Sequence, residues 1–250
     1  MSKTIVITGA GSGIGQATAK TLADKNYSLI LLGRNVAALK KTRELLKNPA
    51  AHQYFSCDIR EPKMLRDALV ESKVETLRAV IANAGVGGEN HYGNGNRWQE
   101  IIDTNLSGSY YTVQECLPYL KKNKDGYASV IFISSILARL GVPGYSAYCA
   151  SKAGLLGLMR SLAAELAKDK ILVNAICPGW VDTDMSRQGI QAFAEALSIT
   201  TEEAYKNAMQ PVPLGKMSEP GEIASLVTFL SHQNSITGQT FDINNGALMP

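Results

Sequence analysis

Tyr148 and Lys152 stand four residues apart at the head of a run, "AGLLGLMRSLAAELAKD", whose apolar residues recur at helical spacing. Positions i and i+4 lie on one helix face, so a phenol and an ammonium placed there can act on one point in space. A solitary tyrosine is ordinarily packing and a solitary lysine a solvated charge, so the pair gains meaning only from its company. Its chemistry would be proton transfer. A free phenol titrates near pH 10, too high for efficient exchange near neutrality, and a cation one turn away would pull that value down.

A second chemical feature is "TGAGSGIG", in which Gly9, Gly13 and Gly15 are spaced G-x-x-x-G-x-G, with Gly11, Ser12 and Ile14 between them. Glycines here permit a tight turn, let backbone approach a pyrophosphate, and seat it on the N-terminus of the next helix, where free N–H groups and the helix dipole favour anions. A glycine-rich loop alone is weak; a strand before it and a helix after it strengthen it.

The elements that must position these residues follow from the hydrophobic pattern. Short apolar runs at 4–8, 28–32, 54–56, 79–81, 129–133 and 172–176 alternate with longer helical patterns. This predicts a parallel sheet with helices on both faces. Runs such as "LILL", "VIFI" and "LVNAI" lack polar alternation, as strands covered on both sides do. In such sheets ligands bind beyond the carboxyl ends of the strands, and the motifs fall there. No linker, repeat or low-complexity stretch divides the 250 residues, which predicts one domain over 1–250. With 45% hydrophobic and 19% charged residues, the composition excludes a disordered or fibrous chain. A net charge of +3 with no block of like charges argues against nucleic acid and membrane surfaces. Cys57, Cys116, Cys149 and Cys177 have neither metal-ligand spacing nor disulfide density. "MSK" leads directly into "TIVIT", with no secretory signal pattern and no run of about 18 apolar residues, so the expectation is a cytoplasmic protein.

Taken together, the glycine spacing and "YCASK" resemble the short-chain dehydrogenase/reductase family, in its compact single-domain branch, nearly end to end. The shared motifs are Thr8-Gly9-x-x-x-Gly13-x-Gly15, Cys57-Asp58-Ile59, Asn83-Ala84-Gly85, Asn105 in "DTNLSG", Ser135 in "FISSI", Tyr148 with Lys152, and "CPGWVDTDM" at 177–185. The resemblance implies a doubly wound Rossmann-type α/β domain with a mostly parallel seven-stranded sheet. It implies four catalytic residues: Asn105, Ser135, Tyr148 and Lys152. Ser135, 13 residues before Tyr148, keeps the family's separation, whereas Ser134 is out of step. In ketone reduction a reduced nicotinamide would give hydride to the carbonyl carbon, Tyr148 a proton to the developing alkoxide, and Ser135 a hydrogen bond to that oxygen. Lys152 would also bind the nicotinamide ribose, and Asn105 would hold a relay water. The cofactor would lie against the glycine loop, Asp58 and Ile59 at the adenine, Asn83–Gly85, and Pro178, Gly179, Val181 and Thr183.

The segment 184–213, helical with a break near Thr200, is expected to form a substrate lid. Gly87, Gly88, Leu137, Val142, Tyr145 and Met185 would line an apolar pocket suited to a hydrophobic ketone or an acyl thioester. Two motifs depart from the family: "NNAG" reads "ANAG", with Ala82 first, and "DGG" reads "NNG" at 244–246. The stretch "ESKVETLRAV" also lacks the customary glycine and aspartate turn. NAD enzymes carry an acid about 20 residues after the glycine loop; here that place is Gly33, followed by Arg34, a planar donor set suited to a phosphate. NADP(H) is therefore expected over NAD(H). The leading reading is an NADPH-dependent reductase of 3-oxoacyl thioesters or other hydrophobic carbonyls, forming a homo-oligomer, tetramer or dimer, by analogy. An NAD-linked alcohol, hydroxy-acid or steroid dehydrogenase is the alternative. A non-catalytic dinucleotide sensor is disfavoured because Tyr148 and Lys152 are both present.

Overall fold

The computed structural model describes residues 4–91 and 93–249; the "MSK" start lies outside them. Strands β1 (Thr4–Thr8), β2 (Ser28–Gly33), β3 (Gln53–Ser56), β4 (Ala79–Ala82), β5 (Ala128–Ile133), β6 (Ile171–Pro178) and β7 (Thr240–Ile243) form one sheet in the order β3-β2-β1-β4-β5-β6-β7. Every neighbouring pair is parallel, so the expected mostly parallel sheet is parallel throughout. The chain winds outward from β1 to β3, then returns to lay β4 on the other side of β1. A crevice opens at that reversal, beyond the carboxyl ends of the strands.

Successive strand residues point to opposite faces, and both faces are covered. Val6, Ile30, Leu32, Val80, Phe132 and Val173 bury one face, with Leu65 of α3 (Pro62–Glu71), Val113 of α5 (Gly108–Lys121) and Met159 of α6 (Ser146–Leu166). Ile5, Ile7, Leu29, Leu31, Ile81 and Ile131 bury the other, with Leu22 of α1 (Gly13–Asp24), Leu39 of α2 (Val36–Glu44) and Val227 of α9 (Pro220–His232). This double burial is why the strands read as unbroken apolar runs. The two edge strands escape that pattern: all four residues of β7 are half-buried, and in β3 Gln53 and Ser56 are exposed.

Local chemistry sets the helix ends. Pro62 and Pro220 occupy first helical positions. The break expected near Thr200 is a capping box: Thr200 and Glu203 reciprocally bond side chain and backbone at the start of α8 (Thr201–Met209). Together with α7 (Asp184–Leu197), this helix encloses a separate small core of Ile190, Ala194, Ala204, Met209, Val212 and Met217. Where the family's glycine turn is missing, Lys73 takes the left-handed conformation (φ 55°). Between α4 (Trp98–Ile102) and α5, residues Asp103–Ser107 form a π-helical turn around Asn105, whose residue type suits a regular helix poorly.

Candidate active site

Strand β5 ends at Ile133 and delivers two serines beside the first turns of α6. Ser135 has extended backbone and starts a 3₁₀ turn; its Oγ accepts from the Leu137 N–H at 3.1 Å and shares a side-chain hydrogen bond with the Tyr148 phenol. Ser134 faces elsewhere, its hydroxyl donating to the Lys152 carbonyl at 2.8 Å. The Lys152 ammonium is buried, donates to the Ile133 carbonyl at 2.9 Å and lies 5.5 Å from the centre of the Tyr148 ring.

The electrostatics differ from the tuning expected of an adjacent lysine. Burial pushes the Tyr148 phenol up to about 12, only partly opposed by its hydrogen bond with Ser135. Burial likewise pulls Lys152 down to about 8. Desolvation dominates at both groups, and the ammonium is engaged by the Ile133 carbonyl while its nitrogen lies over the ring, 5.5 Å from its centre. In the protein alone Tyr148 is a protonated phenol, and the lysine does not lower it.

Asn105, fully buried, accepts from the Val86 N–H at 2.8 Å and donates to the Val86 carbonyl at 3.0 Å and to Ser151 Oγ at 3.1 Å. Its amide thus ties the segment after β4 to α6, while its own carbonyl accepts from Ser109 Oγ at 2.7 Å. Asn83 braces the glycine loop, donating to the Thr8 carbonyl at 2.9 Å and the Gly9 carbonyl at 3.3 Å. Thr8 Oγ1 accepts the N–H groups of Asn83 and Ala84, each at 3.0 Å. Ala82, in place of the family's asparagine, is a buried core residue paired with Phe132.

A cavity of about 1090 Å³ runs along these strand ends. Its wall includes Gly9, Gly11–Ile14, Arg34, Asp58, Ile59, Asn83–Gly85, Ser135, Tyr148, Lys152, Pro178, Gly179, Val181, Thr183 and Met185. Thr8, Gly15 and Asn105 stand behind that wall and support it. Leu137, Val142 and Tyr145 belong to the segment between β5 and α6, outside the wall; Val142 is exposed and Tyr145 half-buried. Met185, from the first turn of α7, reaches across to Gly87, where an added methyl would stand 3.1 Å from its sulfur.

The cavity fits a dinucleotide. Ser12 makes no side-chain cap, so the first N–H groups of α1 are left for an anion. Gly9 (φ 66°) and Gly13 (φ 52°) hold backbone conformations open to glycine, and a methyl on Gly9 would stand 2.9 Å from the Ala84 Cα. A methyl on Gly85 would stand 3.1 Å from Asn105 Oδ1 and 3.5 Å from Lys152 Nζ. Asp58 is committed to Arg60, which donates through Nη2 at 2.6 Å and holds the carboxyl below its ordinary range. Arg60 was not legible as a site residue. Nor was Arg187, which lines the cavity and pairs with Asp182 and with Asp184 (2.9 Å); the Asp184-to-Arg187 spacing, one helical turn, was the available signal. Among the described residues no group of three or more His, Cys, Asp or Glu side chains is placed to hold a metal ion. No described helix is long and apolar enough to cross a membrane.

Residues 3–193 match the model of the short chain dehydrogenase family, and the chain belongs to that family. It is an NAD(P)-dependent oxidoreductase acting on CH–OH or C=O groups. More particularly, it is similar to the 3-oxoacyl-acyl-carrier-protein reductase FabG of Rickettsia prowazekii strain Madrid E, 33% identical over 251 residues, covering 99% of this chain and 97% of that one. It is also similar to the enzyme of the same name from Staphylococcus aureus strain Mu50, 32% identical over 261 residues, covering 100% and 99%. Among solved structures, an actinorhodin polyketide ketoreductase with NADPH superimposes with a TM-score of 0.92 at 27% identity, over 98% of this chain and 97% of that one.

Proposed function

We propose that the protein is an NADPH-dependent ketoreductase that converts a 3-oxoacyl thioester or another hydrophobic ketone to a secondary alcohol. The observation that carries this reading is the convergence of the Ser135 hydroxyl, the Tyr148 phenol and the Lys152 ammonium on one wall of the dinucleotide-sized cavity. The printed names of the relatives, 3-oxoacyl reductases and a polyketide ketoreductase, support the substrate class. Arg34 at the end of β2 supports the choice of NADPH.

A bound reduced nicotinamide supplies hydride to the carbonyl carbon. Ser135 holds the carbonyl oxygen by a hydrogen bond that strengthens as negative charge develops on it. Tyr148 gives that oxygen its proton. The raised phenol suits this direction: it is fully protonated at neutral pH, and a developing alkoxide is a stronger base than a phenolate. Lys152, a cation below about pH 8, would bind the nicotinamide ribose beside the phenol. The lid, through Met185 over Gly87, closes the substrate side against water.

The test is a panel of ketones and 3-oxoacyl thioesters with NADPH and NADH, monitored by loss of nicotinamide absorbance, for the parent and Tyr148→Phe. Reduction of 3-oxoacyl thioesters that falls by orders of magnitude in Tyr148→Phe, with cofactor affinity retained, is expected. Turnover of only alcohols with NAD, or a tenth of parental activity in Tyr148→Phe, overturns the reading.

A further inference from the structure

The "NNG" departure at 244–246 has a structural use. Asn245 sits in the left-handed region (φ 55°), which most side chains avoid and asparagine tolerates. Its Nδ2 donates to the Lys216 carbonyl at 2.8 Å and to Ser218 Oγ at 3.1 Å. Its own carbonyl accepts from the Leu214 N–H at 3.2 Å. Next to it, Gly246 lies so close to Pro213 that an added methyl would stand 2.9 Å from the Pro213 Cγ. Three backbone or side-chain bonds and one close approach therefore pin the stretch leaving α8 to the turn after β7.

That stretch is coupled to the cofactor cavity. Ser218 is buried; its N–H donates to the Trp180 carbonyl at 2.8 Å, and its carbonyl accepts from the Asp182 N–H at 2.9 Å, pairing Ser218 with Val181. Val181 and Thr183 line the cavity, and the Thr183 hydroxyl caps α7 by accepting from the Ser186 N–H. A continuous route of hydrogen bonds and chain thus runs from the Asn245 amide through Ser218 to the cavity wall at 181–183 and the first turn of the lid. Both ends of the lid meet at this point: it leaves β6 through 179–183 and returns through 212–218.

We propose that Asn245 is a positioning residue that holds the two ends of the lid together and keeps the 181–183 wall in place for cofactor and substrate. This rests on the reading of 184–213 as a substrate lid. A glycine would supply the backbone conformation without the amide, so the side chain is what distinguishes this anchor.

Asn245→Gly removes the amide and leaves the backbone unstrained. Hydrogen exchange of the ligand-free protein is then expected to quicken about tenfold at 212–218 and 180–184, from the loss of two hydrogen bonds, with β1, β4 and β5 unchanged. Titration should show NADPH binding weakened about threefold to tenfold, and KM for the ketone raised more than kcat is lowered. Ser218→Ala should reproduce part of the effect and add little to Asn245→Gly, because the two act in series. Unchanged exchange at 212–218, acceleration spread evenly over the sheet, or full additivity with Ser218→Ala would overturn the proposal. If Ser218→Ala does not fold, the exchange pattern of Asn245→Gly decides alone. Exchange needs no substrate, so inactivity toward every ketone would count against the proposed function and leave the anchor tested.

Discussion

On the proposed reading of Arg34 as the 2′-phosphate partner, replacing it by alanine should weaken NADPH binding selectively. The guanidinium is exposed at the end of β2 on the cavity wall, so its interactions are felt through water as well as protein. A phosphate ester carries about −1.5 to −2 charges at neutral pH. Unit charges 4 Å apart in water attract by about 1 kcal/mol, which gives about 1.5–2 kcal/mol for this pairing. Two acids dilute that field. Asp58 and Glu100 are held below their ordinary ranges first by Arg60 and Arg97 respectively, and more weakly by Arg34. Since each already has its own arginine, Arg34 stays available, and the estimate stands near its lower bound of about 1.5 kcal/mol, rising toward about 2 where two donors engage together. NADPH affinity should therefore fall about 10- to 30-fold in Arg34→Ala, while NADH affinity, which involves no 2′-phosphate, changes less than about twofold. Fluorescence titration of both dinucleotides at low and physiological salt measures this, and the NADPH loss should shrink as salt rises. An equal loss for both cofactors, or equal kcat/KM for both in the parent enzyme, would refute the reasoning.

The two serines separate by role: Ser135→Ala should lose about 2–4 kcal/mol of transition-state stabilisation, the scale for one donor to a developing oxyanion, whereas Ser134→Ala should lose about 1 kcal/mol of folding stability and little turnover. Side-by-side kinetics giving the reverse order would reassign the hydroxyl. Lys152, drawn down to about 8 by burial, is charged below that pH and neutral above it, so kcat/KM for reduction should be level below and fall as pH rises through about 8. The same depressed value means the folded state binds this proton less tightly than the unfolded chain, so Lys152→Met should stabilise the protein at pH 7 and lose that advantage between about 8 and 10.4. A level rate profile up to pH 10 would contradict it. Gly15→Ala would drive a methyl into the Gly9 carbonyl oxygen and place it 2.6 Å from Asn83 Nδ2. Backbone so close does not yield, so a loss of about 3 kcal/mol and a Tm lower by about 6–12 °C are expected; a Tm within about 2 °C of the parent would show that the loop gives way.

What was legible in the sequence is what repeats a physical rule. The five interior strands stand out because burial on both faces forbids polar alternation, and the glycine loop because only glycine fits beside Ala84 and Asn83. The break read near Thr200 has its physical cause in a capping box that only the structure displays. β7 gave no such signal: at the edge, Thr240 and Asp242 interrupt the apolar pattern. The candidate site residues could be named by motif, but their electrostatics could not. An exposed-looking lysine in "YCASK" is buried, and burial depends on Ile133, Gly85 and the helix packing that surround it in space, not on its neighbours in the chain. The bracing by Asn105 and Asn245 was hidden for the same reason, since each reaches a partner in a different segment.

The placement of β7 also bears on how the chain is made. Its four residues cover the outer edge of β6, whose eight residues, Ile171–Pro178, are all buried. During translation β6 leaves the ribosome more than sixty residues ahead of its cover, and at about 5–20 residues per second that interval lasts several seconds. For that time the nascent sheet presents an apolar edge with unpaired backbone groups, the surface on which strands of other chains add. Crowded polysomes are therefore the setting in which this protein is most exposed to aggregation, and a chaperone that holds β6 until residues 240–243 emerge would act on yield while leaving the finished enzyme unchanged.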